Sequence, residues 1–303
     1  MWRPIATLGL GLLAACGGGD GATAPLGAGG NGTDGGGAGA SGGLVGGGFD
    51  DRCDDETRSI FLLGRARELV SFDPATEQLS AIGVLNCPVG AGPNVPSPTP
   101  FSMAVDRTGT AWVSYSNGEL YAVDTHDASC RGTPFVAEQL AAFRQFGMGF
   151  ASRNQGSLRE RLFLSSFAPG DGIAKLDLET FTLERVGYYD GGLRGPAALT
   201  GTADARLYGY FLSTPVRIIE IDSETSSQLS ETALPDLDVG NAWAFAFWGD
   251  YFYLFTANPG QSSRIERVRR GTDVVELVSP DAGLRIVGAG VSTCAPTEPP
   301  VVR

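Results

Sequence analysis

Four cysteines, Cys53, Cys87, Cys130 and Cys294, are the residues of this chain best suited to react with one another. Their number is even, no C-x-x-C pair occurs, and His126 is the only histidine. Such a set suits two disulfides rather than zinc, which needs thiolates and imidazoles at metal-ligand spacing. Other reactive constellations fail on spacing. A serine nucleophile needs a G-x-S-x-G elbow and a histidine base; the elbow is missing, and His126 stands in a polar turn after Asp124. Glycosidases flank the sugar with paired carboxylates, and metal-dependent lactonases bring Glu, Asn and Asp to one point. The strands that would carry such groups here hold no acid, and Asp106 falls in the turn Asp106-Arg107-Thr108-Gly109 at a strand end. We expect no catalytic residue, no metal and no cofactor. Asp73, Asp124, Asp177 and Asp222 each open a short polar turn, where a carboxylate accepts from backbone N–H groups two or three residues on. Asp50, Asp51, Asp54, Asp55 and Glu56 read as a solvated acidic entry segment, with a weak calcium contact as the alternative.

The fifth cysteine has another setting. Met1-Trp2-Arg3 is followed by the apolar run Ile5 to Leu13 and then by Leu13-Ala14-Ala15-Cys16-Gly17. A short apolar stretch ending in small residues is an export signal rather than a membrane span. Its end resembles the bacterial lipoprotein box, which implies that the Cys16 thiol takes a diacylglycerol, the chain is cut before it and the new N-terminus is acylated. Two or three acyl chains anchor stably, and Gly17 rather than Asp fits the outer membrane. Residues 17–48 contain 17 glycines in 32 positions, too few apolar groups to offset ordering entropy. As a flexible coil they reach roughly 30 Å. The letters Gly27-Ala28-Gly29-Gly30-Asn31-Gly32 match a dinucleotide fingerprint, but with no strand before them and no helix after they form no such site. The expected organisation is a signal over 1–15, lipidated Cys16 and linker over 16–48, a folded domain over 49–296 and a disordered tail over 297–303. The formal charge of −12 argues against nucleic acid and against docking on anionic lipid. The expected partners are the membrane, through the lipid, and an envelope protein or glycan.

The folded part repeats. An apolar-x-apolar-Asp phrase followed by a polar turn occurs at Leu69–Asp73, Leu120–Asp124, Ile173–Asp177 and Ile218–Asp222, with a degenerate copy at Ile265–Arg269. The intervals of 51, 53, 45 and 47 residues fit four-stranded propeller blades. An apolar strand precedes each phrase by a hairpin, once through Ser116-Asn117-Gly118, a strong hairpin signal. Ahead of four of these lies a segment rich in small residues, such as Gly147-Met148-Gly149-Phe150, expected to be innermost, where strands crowd around one axis. The first copy lacks one, and Ile286–Val291 at the far end of the chain is spare. The fold class is therefore all-β, a five-bladed β-propeller of four-stranded antiparallel blades whose C-terminal strand completes the first. That closure brings Cys53 to Cys294, across a loop for which chain entropy gives roughly 4–5 kcal/mol; Cys87 then pairs with Cys130 by elimination. The aromatic run Trp243, Phe245, Phe247, Trp248, Tyr251, Phe252, Tyr253 and Phe255 reads as packing between blades.

Several stretches carry a resemblance: Ile82-Gly83-Val84-Leu85-Asn86-Cys87-Pro88, Pro100 to Asp106, Phe146 to Phe150, Leu207 to Phe211, Ala242 to Ala246 and Arg285 to Pro296. Through them the chain resembles a family of secreted or lipid-anchored propeller proteins from myxobacteria, with no assigned activity; this implies fold and compartment only. The expectation is a lipid-anchored binding or scaffolding module of the cell envelope. The alternatives are a lyase or hydrolase of envelope polymers and a structural spacer or adhesin. Both chain ends fall on one face of the ring, so the opposite face can point away from the membrane. There Phe101, Phe146, Asn241 and Arg285 start inner strands, and Arg285, the one charge among them, would favour an anionic group.

Overall fold

Strands buried on both faces, punctuated by Asp-led turns, have one economical arrangement, sheets stacked around an axis. The computed structural model describes Cys53 and residues 55–299, apart from Pro93, Pro169 and Gly191. The expected signal, Cys16, the linker, Asp50, Asp51, Asp54 and residues 300–303 lie outside the described residues. The first blade holds β1 (Ile60–Gly64), β2 (Glu68–Asp73) and β3 (Gln78–Val84). The second holds β4 (Pro100–Val105), β5 (Thr110–Tyr115), β6 (Leu120–Asp124) and β7 (Cys130–Gly132). The third holds β8 (Phe146–Ser152), β9 (Glu160–Ser166), β10 (Ile173–Leu176) and β11 (Leu183–Gly187). The fourth holds β12 (Ala197–Gly201), β13 (Leu207–Phe211), β14 (Val216–Ile221) and β15 (Gln228–Leu234). The fifth holds β16 (Ala242–Trp248), β17 (Tyr251–Ala257), β18 (Arg264–Arg269) and β19 (Val275–Ser279). The last strand, β20 (Ile286–Val291), returns to the first blade in the sheet order β20-β1-β2-β3.

The chain is thus a five-bladed β-propeller, closed as the repeat predicts. Ile60 opposes Val291, Phe61 opposes Gly290 and Leu62 opposes Ala289 in an antiparallel ladder. Cys53 is bonded to Cys294 with Cα atoms 5.7 Å apart, and Cys87 to Cys130 with Cα atoms 4.9 Å apart. The first bond joins the two ends of the ring; the second ties the first blade to the second. The core divides into five apolar clusters, one between each pair of neighbouring blades. Phe72 lies edge-on to Tyr253 across the closure, and Tyr208 meets Phe252 at 4.9 Å between the fourth and fifth blades. The outermost strands are largely exposed and polar, as in Gln228-Leu229-Ser230-Glu231, or short, as in β7, which blunts pairing with other chains.

Close approach of the inner strands explains their small residues. A Cβ on Gly149 would lie 2.9 Å from the Leu199 carbonyl carbon and oxygen. One on Gly290 would lie 2.8 Å from Val105 Cγ2. The repeat Asp residues cap their turns. Asp177 Oδ1 accepts from the N–H groups of Glu179 and Thr180 at 2.9 and 2.8 Å, and Asp222 Oδ1 does the same for Glu224 and Thr225. Four residues after each repeat Asp the backbone enters the left-handed region without glycine, at Glu77, Ala128, Phe181 and Ser226. Each turn is one helical turn that must reverse hand to start the next strand.

Candidate functional site at the channel mouth

All five inner strands begin at one end of the axis. Their first halves enclose roughly 150 Å³ of free space, floored by Met103, Met148, Leu199 and Phe245. Ala198, Ala242, Ala244 and Ala289 also line it, while Gly147 and Gly288 lie close against the backbones of Ala197 and Met103. Three half-buried aromatic rings form an arc over it. Phe101 on β4 lies edge-on to Phe167 at 4.8 Å, and Phe167 lies nearly parallel to Trp243 on β16, with centroids 6.1 Å apart. Phe167 follows β9, where its N–H donates to the Gln145 carbonyl at 3.1 Å. Blades two, three and five thus each contribute one ring.

The polar residues of the lining are Arg65, Thr99, Ser102 and Asn241. Arg65, in the β1–β2 hairpin, lines the cavity as the only charged side chain among the described residues that do so. Its backbone is pinned: its N–H donates to the Arg285 carbonyl at 2.8 Å, and the Arg67 N–H closes the hairpin on Gly64 at 3.0 Å. Arg285 is occupied. Its Nη1 donates to the carbonyls of Asn258 and Gln261 at 2.6 and 3.0 Å, and its Nη2 donates to Asn241 Oδ1. A guanidinium has no acceptor, so this bond assigns the Asn241 amide: oxygen toward Arg285, and the Nδ2 amino group free to donate.

The four residues expected at this mouth separate. Phe101 and Asn241 line the cavity. Phe146 instead is fully buried in the cluster between the second and third blades, its ring 5.8 Å from Phe135. Arg285 stands just before β20, as expected, but its charge is spent on carbonyl oxygens. The cavity-lining side chains that the strand pattern does not single out are Arg65, Phe167 and Trp243. Trp243 packs against the cluster between the fourth and fifth blades, as its alternating stripe with Phe245 and Phe247 predicts, and from the mouth end of β16 it also lines the cavity. Arg65 stands in a tight hairpin three residues before Glu68, and nothing in that local sequence sets it apart.

A second polar cluster marks the opposite end of the axis. Glu160, at the start of β9, accepts from the Arg107 N–H at 2.8 Å and from the Thr293 hydroxyl at 2.8 Å. The Arg107 guanidinium donates to Thr293 Oγ1 and to Cys53 Sγ, both at 3.1 Å. The cluster joins the third blade to the second and to the disulfide that shuts the ring. Burial pushes the Glu160 carboxyl up to about 7, against the two donors and the Arg107 charge, which favour its ionised form. Asp106 beside it is consumed by its own turn and by the indole N–H of Trp112 at 2.9 Å.

No protein-family model matches the chain, and no curated protein sequence does. Among solved structures the chain is similar to TolB from Acinetobacter baumannii, at 14% identity over 73% of this chain and 52% of that one, with a TM-score of 0.40. It is also similar to a chain of a mitotic checkpoint complex, at 11% identity over 79% of this chain and 80% of that one, with a TM-score of 0.42. BamB from Moraxella catarrhalis aligns at 14% identity over 77% of this chain and 76% of that one, with a TM-score of 0.35. This chain spans about half the length of the first of these structures. These likenesses carry no argument about ligand or activity.

Proposed function

We propose that this protein is a binding module of the bacterial cell envelope, held to a membrane by lipid on Cys16 and taking its ligand at the axial mouth of the propeller. The observation that carries the binding reading is the open apolar cavity under three aromatic rings, rimmed by Arg65 and Asn241. Concave, mostly apolar sites with a few convergent polar groups are where small ligands bind. Support for the anchor comes from the sequence, in Leu13-Ala14-Ala15-Cys16 after an apolar run and in the glycine-rich leash that follows. The propeller is entered at Cys53 and left at Cys294, both at the end of the axis remote from the mouth.

A thermal-shift screen of the full chain against small envelope metabolites and glycans tests the site. Compounds that raise the melting temperature of the wild type are expected to lose their effect on Trp243→Ala and on Phe101→Ala. The unliganded melting temperature is expected to fall by only a few degrees, because both rings are half-buried. Compounds that stabilise both variants as well as the wild type would move binding away from the mouth.

A further inference from the structure

The rim and the floor of the cavity together specify a chemical class. We infer that the mouth takes a small carboxylate with one aromatic or short alkyl body, the body seated under Phe167 and Trp243 and the carboxylate on Arg65 and Asn241. This deepens the reading of the mouth as a ligand site and rests on it.

Size sets the body. An apolar cavity of about 150 Å³ accommodates a guest the size of benzene, and the free space here is roughly 150 Å³.

Charge sets the head. Aromatic rings alone would favour a cation through their negative faces, but Arg65 lies in the same cavity and no carboxylate lines it among the described residues. The Arg65 guanidinium has no hydrogen-bonding or ion-pair partner among the described residues. The Asn241 amide, turned by Arg285, presents Nδ2 as a second donor. The guanidinium and the amide amino group donate, and the Thr99 and Ser102 hydroxyls can donate too, so a ligand head that accepts suits the set, and a planar carboxylate matches the fork of a guanidinium. The −12 formal charge of the whole chain does not reverse this, because in physiological salt exposed charges are screened beyond about 8 Å.

Calorimetric titration of the full chain, in a sugar-headed non-ionic detergent, tests the class with three probes sharing one body: 3-phenylpropanoate, 3-phenylpropanamide and 3-phenylpropylammonium. The acid is expected to bind at least 10-fold more tightly than the amide, and the ammonium more weakly than both. Arg65→Gln is expected to bring the acid to the level of the amide while leaving the amide unchanged, and Arg65→Lys to recover part of the difference. Trp243→Ala is expected to weaken acid and amide alike. Equal binding of acid and amide, or preference for the ammonium, overturns the carboxylate assignment while the mouth remains a binding site. Failure of all three probes to bind overturns the assignment too; the screen against Trp243→Ala then decides the mouth separately.

Discussion

Glu160 holds a proton more tightly in the folded protein than in an unfolded chain, since burial raises its carboxyl to about 7. A raised acid stabilises the fold fully below its unfolded value, and that contribution is lost as pH climbs through the folded value. The window therefore runs from pH ~4.5 to about 7, and at ~1.4 kcal/mol per pH unit the site accounts for no more than about 3.5 kcal/mol. Glu160→Gln keeps an acceptor for the Arg107 N–H and carries no charge. Its melting temperature is expected to match the wild type near pH 4.5 and to exceed it at pH 8. Melts of both proteins across this range check the expectation; a difference independent of pH would locate the effect in packing instead. Asp177 behaves oppositely. The Thr180 N–H and hydroxyl on Asp177 hold its carboxyl below the usual range. Sequence reading found the turn aspartates because their partners are two and three residues away. It missed Glu160, whose partners lie 53 and 133 residues away.

At the scale of strands, the decisive property is how closely neighbouring inner strands run. Gly149 faces the Leu199 backbone at a distance that admits no side chain. Gly149→Ala is expected to cost about 1–3 kcal/mol, the range for forcing a methyl into a packed core. Chemical denaturation measures this cost. An unchanged midpoint would mean that the β8–β12 pair moves apart freely. The strand pattern was legible because it is local and repeated: one phrase, one turn, one preceding strand, five times. The innermost strands were legible for a different reason, since small residues within apolar runs have few uses other than close packing. The division of one stripe into core and cavity was not legible. Trp243, Phe245 and Phe247 alternate identically, and burial differs only because β16 reaches the rim at its first turn of the pleat. Phe146 shows the same division in reverse. It opens β8 in the sequence, yet Phe135, in the long segment after β7, covers it.

For the whole molecule, closure rests on a ladder and a covalent bond at the same place. The Cys53–Cys294 bridge spans 241 residues, where chain entropy gives about 5 kcal/mol, and the Glu160 cluster packs against it. The mass of the intact mature protein tests this level. It is expected to equal the chain from Cys16 plus its acyl groups, less two hydrogens for each of the two disulfides. A mass without lipid removes the anchor, and free thiols on the four remaining cysteines remove the covalent closure. Ring closure was legible because the first repeat lacked a strand and the end of the chain held one in excess. It also imposes an order in time. Of the twenty strands of the propeller, the one made last is the partner of the first. A chain synthesised only as far as β19 cannot therefore finish its opening blade, which waits for Ile286–Val291.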